Sequence, residues 1–559
     1  MKVFHQGVAA ASLFLALMLP VQSHACGGFF CQLVPVNQAA EQIVFRQDGD
    51  QITAMVQIQF AGDADDFSWV VPVPSEPTFE IGSNSAFTDL ERVTRPQFNL
   101  STSGQECVVD RIASPVSTGV AESDTADGGT DVIVESVQDV GGYEVTVISG
   151  DNAESISQWL VDNGYDLTES GEQLLAPYVE SQMKFVAAKL QQNRGLGSIQ
   201  PLIMKYTSDK PEVPIRLTAV AALEDMGVVI WLLGDARAVP ENYLHVTPNY
   251  TRLDWFNGTQ NAYGSYQALV TDAMNEAGGQ GFATDFAGRF PNLTESFTLP
   301  ADIEAQLDRL NGSPDVEFIA LSQNFVSDTI VTDTLTRFLP LPDGQSSFSY
   351  FDQSFLASNY TAAELSTART EVEATIRNEV VEPLRMSLDV LGGNRYMTRL
   401  YTTLSADEMT VDPAFVFNAE MADQQLDRNA QLDVQCIDDR NHWTLKLGEG
   451  TGRMDEVVID TIGPIPFAAP AVQQEASWKI EETAEFGLPT VLDQRDFQVA
   501  SLGSPGTGIT EIGDGGAGGD TGGGSGDGDS GSASSSGGGA LGLSITLLLW
   551  GFVRRRLSY

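Results

Sequence analysis

The chain reads as an α+β protein: one large ectodomain of mixed, largely antiparallel sheets with several helices, then a disordered Gly-rich stalk and one short C-terminal transmembrane helix. Three observations carry this reading. Apolar and polar residues alternate at period two in several short runs, as in half-buried strands. Between those runs, apolar residues recur at spacings of three and four behind polar capping residues, as in helices. With 42% hydrophobic residues in a chain of 559, there is material for one large core or two ordinary ones.

The elements follow in order. Residues 42–45, a turn at Asp48-Gly49-Asp50, and Ile52, Ala54, Val56, Ile58 and Phe60 on alternate positions make a hairpin with one buried face. Residues 67–74, FSWVVPVP, form a third strand, and its two prolines, which lack an amide donor, place its end at an edge or exit. A short helix spans 85–93, and the acidic Gly/Ser/Thr-rich stretch 114–131 is an exposed loop. Strand 143–148 leads into helix 151–163: Asp151 caps it with Glu154 three on, Ile156, Trp159 and Leu160 share a face, and Gly164 stops it. Residues 182–190, 203–206, 215–222 and 228–233 are further strands. Helix 263–277 carries Tyr266, Leu269, Val270, Ala273 and Met274 and ends on Gly278-Gly279. The longest helix covers 362–381, capped by Thr361 with Glu364, striped by Leu365, Val372, Ile376 and Val380, and closed by Pro383. Residues 399–404 and 433–465 return to β, and the Gly, Ser and Asp run of 501–539 is a flexible, disordered spacer.

The two ends set the destination. Lys2, the apolar stretch Val8 to Val21 and the small residues Ser23 and Ala25 form an export signal, cleaved between Ala25 and Cys26. Lipidation of Cys26 is the competing outcome, but it wants a Leu-like residue where Ser23 stands. At the other end, residues 540–553 span about 21 Å as a helix, short of the roughly 30 Å of a bilayer core. Arg554, Arg555 and Arg556 hold that end on the cytoplasmic side. The plan is therefore signal peptide 1–25, α+β ectodomain 26–432, C-terminal β-rich part 433–500, linker 501–539, membrane segment 540–553 and basic tail 554–559.

There are 30 Lys and Arg against 76 Asp and Glu, a formal charge of −46. Such a charge argues against nucleic acid and anionic lipid as partners. No cofactor is expected, and no metal site is assigned. Ca²⁺ is the one ion the composition would suit. Cys26, Cys31, Cys107 and Cys436 make an even set in an exported chain, so disulfides are the default. Three pairings exist. The turn-forming Gly27-Gly28 favours Cys26–Cys31, which leaves Cys107–Cys436 to tie the early and late parts together.

Two resemblances add to this. Ser534 to Ala540, the short apolar helix and Arg554–Arg556 resemble the GlyGly-CTERM sorting tail of Gram-negative bacteria. That likeness implies cutting near Gly538, Gly539 and Ala540 by a rhomboid-type intramembrane protease, after signal peptidase has acted at Ala25. The protein would rest in the inner membrane in transit, then reach the cell surface or the medium. CGGFFC at Cys26, DFSWVVPVP at Asp66, GDARAVPENY at Gly234, NEAGGQGFATDFAG at Asn275 and RLYTTLSADEMTVDP at Arg399 resemble the bacterial secreted domain-of-unknown-function 2330 family. The likeness runs from about Cys26 to about Asp433 and implies no catalytic residues.

The usual catalytic constellations are absent. The mature chain keeps only His245 and His442, with no HExxH, no paired CxxC and no G-x-S-x-G elbow. Both histidines read as surface or hydrogen-bonded residues. Paired carboxylates are the enzymatic option, with Asp407, Glu408 and Asp412 near Tyr401 as the most suggestive group and capping or turn formation as the plainer account. Asp254-Trp255 sets an acid beside an aromatic, as in sugar stacking, though such a Trp is more often core. FSWVVPVP would serve as a peptide-binding edge if not simply a core strand. Residues 514–529 interleave Asp with Gly but miss the spacing of Ca²⁺-binding repeats. The expectation is a surface-displayed binding or structural protein of unknown ligand, leaning away from an enzyme; the alternative is a secreted carboxylate-dependent, Ca²⁺-binding hydrolase.

Overall fold

The computed structural model describes residues 40–57, 67–105, 107, 133–165, 169–191, 199–220, 222–255, 258–289, 302–314, 316–393, 395–438, 440–452, 456–460 and 475–495. The signal peptide, Ala25, Cys26, Cys31, the linker, the sorting positions Gly538, Gly539 and Ala540, and Arg554–Arg556 lie outside them.

The elements begin with β1 (Ala40–Asp48), β2 (Gln51–Gln57), β3 (Ser68–Val73), β4 (Thr78–Ile81), α1 (Asn84–Thr94) and β5 (Gln97–Gly104). Next come β6 (Ile133–Val140), β7 (Tyr143–Ser149), α2 (Ala153–Asp162), α3 (Glu169–Glu180), β8 (Lys184–Leu190), β9 (Leu202–Thr207) and α4 (Ile215–Thr218). The middle of the chain holds β10 (Met226–Gly234), β11 (Arg237–Pro240), β12 (Leu244–Pro248), α5 (Gly258–Glu276) and β13 (Gly281–Arg289). A helical run follows: α6 (Ile303–Asn311), α7 (Phe318–Ser322), α8 (Asp328–Phe338), α9 (Gln353–Asn359), α10 (Ala362–Ile376) and α11 (Glu382–Leu391). The last strands are β14 (Tyr396–Leu404), β15 (Phe415–Asn418), β16 (Asp427–Ile437), β17 (Arg440–Leu447), β18 (Glu456–Asp460), β19 (Ser477–Glu482) and β20 (Thr490–Gln494).

Ten strands form one sheet in the order β20-β19-β12-β13-β14-β10-β1-β2-β9-β4. Only β1–β10 and β12–β13 pair in parallel there, so the sheet is mixed and largely antiparallel. Successive side chains on a strand point to opposite faces, and here both faces are covered. Val44, Met55 and Trp231 pack with α1, α5 and the four-stranded sheet β18-β17-β16-β5. Ile43, Phe45 and Ala54 pack with a second four-stranded sheet, β3-β8-β7-β6, and with the β11-β15 ribbon. The first hairpin thus has two buried faces, not the single one its alternation implied, and Met55 is fully enclosed. Being buried on both sides also explains why β10 and β14 are buried at every position. α2 and α3 cover the outer face of the β3 sheet, and α6 to α10 form a helical core of their own. All the described residues belong to one compact unit, and none of their helices is long and apolar enough to cross a membrane.

Several expectations are corrected. Residues 215–222 do not form a strand: Pro214 is followed by the single helical turn α4, which sends Ile215 into one core and Leu217 into another. Asn152, not Asp151, caps α2, its side chain accepting from Ser155 N at 2.7 Å. The capping box of Thr361 and Glu364 opens α10, but Pro383 does not close the helix. A π turn at Arg377–Val381 leads straight into α11, with Pro383 in its first turn where no amide is needed. The Glu379 carbonyl, four residues before Pro383, instead accepts from Gln200 Nε2 at 2.6 Å. The β-rich part from Asp433 onward is joined to what precedes it. β16 runs through that boundary while pairing with β5, and β19 is hydrogen-bonded to β12 inside the large sheet.

Candidate functional site

Glu41 stands on the face of β1 that also carries Ile43 and Phe45. That face looks across to β3, whose Trp69, Val71 and Val73 are the opposing wall. The two walls do not meet fully. They leave a cavity of about 80 Å³, lined by Glu41, Ile43, Phe45, Ala54, Val56, Met204 and Tyr206 on one side and Trp69 to Pro74 on the other, with Lys210, Glu212 and Thr218 among the residues at its rim. A water needs only about 10–15 Å³ of such space. The cavity therefore has room for a group of several heavy atoms, though not for a drug-sized ligand.

Its lining is mainly apolar, with Tyr206, Ser208, Lys210, Glu212 and Thr218 as further polar members besides Glu41. As a residue Glu41 is only partly buried, but its Oε2 is closed off and meets no hydrogen-bond partner. Burial pushes the carboxyl up to about 7. An enclosed carboxyl without a partner is costly, so its retention at a mainly apolar cavity calls for a ligand group or a proton. FSWVVPVP, expected as a core strand ending at an edge, is the edge strand of its sheet and supplies the far wall.

A second polar group lies where β12, β13 and β19 meet. His245 Nε2 is 2.9 Å from Thr284 Oγ1, its Nδ1 is 3.2 Å from Glu481 Oε2, and Arg237 donates to Thr284 Oγ1 at 3.0 Å. All four side chains are buried. Burial holds His245 below its ordinary range and hence neutral, and Arg237 opposes its protonation further. His245 thus bonds three strands together and is not exposed. His442 lies half-buried on β17 opposite Gln435.

A third group sits on the opposite face of the large sheet. Arg399 Nε approaches Asp285 Oδ2 at 3.3 Å with neither side chain exposed, and Arg399 Nη2 donates to Glu91 at 2.6 Å. Tyr266 donates to the other Asp285 oxygen, and Arg428 donates to the Asp285 carbonyl at 2.7 Å. Burial opposes the Arg399 charge, but Asp285 and Glu91 outweigh it and keep the guanidinium protonated.

The carboxylates singled out from sequence do not converge. Tyr401 is in the core beside Tyr266. Glu408 accepts from Ser405 N at 2.7 Å in a tight turn, and Asp407 is exposed. Asp412 accepts from Tyr178 at 2.9 Å and from the Arg216 amide of α4 at 3.1 Å. These are turn and capping roles. Trp255 is buried, donating to the Tyr250 carbonyl at 2.9 Å, so it offers no sugar platform. Cys107 and Cys436 form a disulfide with a Cα–Cα distance of 5.2 Å. Among the described residues no group of three or more His, Cys, Asp or Glu is placed to hold a metal ion.

A family model described as an uncharacterized protein conserved in bacteria (DUF2330) matches residues 20–306, just over half of the chain. The match contains every residue lining the cavity and stops short of the 399–413 stretch. No curated protein and no solved structure matches.

Proposed function

The chain belongs to the bacterial DUF2330 family, and on that footing we propose that it is an exported, surface-delivered binding module whose cavity between β1 and β3 receives a small apolar group carrying a cation. The single observation behind this is Glu41: one enclosed, unpartnered carboxyl in a mainly apolar lining. An ammonium or guanidinium would supply the missing hydrogen bonds and charge, and its alkyl stem would fill the space. Binding is favoured over hydrolysis because Glu41 alone in this lining has a closed-off carboxyl oxygen without a partner, while the second carboxyl, Glu212, is partly desolvated but belongs to an exposed residue. Glu212 stands at the exposed rim. Export is supported by the Cys107–Cys436 disulfide, a bond that persists in oxidising compartments, and by the signal and sorting segments read from the sequence.

Calorimetric titration with n-butylamine and n-butanol at pH 8 tests the site. The amine should bind and the alcohol should bind at least about tenfold more weakly, a difference that Glu41→Gln abolishes. Equal binding of amine and alcohol, or an unchanged preference in Glu41→Gln, would rule the reading out.

A further inference from the structure

The end of the large sheet away from β4 presents apolar side chains to solvent. Phe486 is 76% and Leu488 77% exposed in the β19–β20 loop, and Val491 and Leu492 on β20 are 48% and 52% exposed. Such side chains are rarely clustered on a surface without a partner. The loop is not loose. Asn418, itself buried, donates to the carbonyls of Ala484 and Gly487 at 2.8 Å each, and Gly487 N donates to Glu420 at 2.9 Å. Gly487 takes φ +86°, the turn a side chain would strain. The loop is therefore held in the shape that exposes its two largest apolar groups.

Glu485, next to Phe486, lines an open cleft with Asp209, Asp235 and Glu241. Lys210, the cation that answers them, is already bonded to Glu241 at 2.5 Å. Among the described residues β20 has no neighbouring strand on its outer side, which leaves its edge available for pairing. We infer that this edge and the acidic cleft together form a docking surface for a partner polypeptide in extended conformation, one that alternates apolar residues with Lys or Arg. Strand addition to β20 would supply main-chain bonds, Phe486 and Leu488 the apolar contact, and the cleft the selection for basic side chains. A second copy of this chain, at −46, is disfavoured by like charge. The surface is independent of the Glu41 cavity.

The test pans a random peptide display library on the full chain, counter-selected on the Phe486→Ser/Leu488→Ser variant. Both positions are exposed, and an unchanged thermal melt checks that the variant folds. Selected sequences should alternate apolar and basic residues. Their synthetic peptides should bind the variant at least about tenfold more weakly, and should lose affinity in Glu485→Gln/Asp235→Asn and with added salt. Enrichment that does not distinguish the variant, or selection of acidic sequences, would overturn the inference. So would flotation of the wild type, but not the variant, with phosphatidylcholine vesicles, which would assign Phe486 and Leu488 to a membrane instead.

Discussion

Glu41 sets the pH behaviour of the cavity. Its carboxyl ordinarily titrates at 4.5, and burial lifts it to about 7 in the folded chain. The folded state therefore keeps a proton that the unfolded state releases above pH 4.5. The stability this group provides is fully present below 4.5 and is lost as pH rises towards 7. His245 works in the opposite direction: its folded value is depressed below 6.5 by burial, so protonation of the unfolded chain costs stability as pH falls below 6.5. A bare pH profile mixes the two. Urea midpoints of wild type and Glu41→Gln, compared from pH 4.5 to 8, isolate the first: the variant should gain on the wild type as pH rises, and a constant difference would remove the raised carboxyl. At Asp285 the outcome is a loss. Asp285→Ala leaves the buried Arg399 with Glu91 as its remaining carboxylate, so the cost should approach but not exceed the about 3–5 kcal/mol of breaking a buried pair, readable as a shifted urea midpoint. Little of this was legible in the sequence. Glu41 looks like any carboxylate entering a strand, and only its parity with Ile43 and Phe45 hints that it faces inward. Asp285 and Arg399 lie in stretches that carried the family likeness, yet 114 positions separate them, and nothing local states that they pair.

Among the elements, those with local signals were the legible ones. The box of Thr361 and Glu364, the Leu365, Val372 and Ile376 stripe, and the period-two run through Ile52 and Ala54 each describe themselves, because caps and alternation act within a few residues. What overrode the sequence was tertiary. α4 replaces a strand because Ile215 and Leu217 serve two different cores, and a carboxylate from Asp412 meets the Arg216 amide. The helix continues past Pro383 through a π turn, and Gln200 donates to the Glu379 carbonyl there. That contact is testable alone. Gln200→Ala removes this donor from the Glu379 carbonyl, and a lost hydrogen bond costs about 0.5–1.5 kcal/mol, so the melting temperature should fall slightly while the far-ultraviolet spectrum is kept. No change in melting would show that solvent satisfies the carbonyl and that the π turn owes nothing to Gln200.

For the whole molecule, the α+β character and the mixed sheets follow from the same patterns that the sequence displays, but the layering does not. β5 pairs with β16 across more than three hundred residues, and the Cys107–Cys436 bond closes a separation of 329. That bond joins strands already paired from Gln97↔Asp427 to Gly104↔Val434. Its removal in Cys107→Ser/Cys436→Ser should cost about 2–5 kcal/mol without changing the fold. The bond also bears on the export proposal, since disulfides persist chiefly in oxidising compartments. Intact mass of the native protein from its own host, measured by compartment, joins these points. A chain that starts at Cys26, ends near Gly539 and gains about 4 Da on reduction, two hydrogens for each of two disulfides, fits export, tail removal and Cys26–Cys31 pairing. A gain of about 2 Da would leave Cys26 and Cys31 unpaired, and added acyl mass would mark Cys26 as a lipid anchor. A full-length C-terminus held in the inner membrane would sink the sorting-tail proposal while leaving the cavity untouched, because Glu41 and its walls lie wholly within residues 41–218.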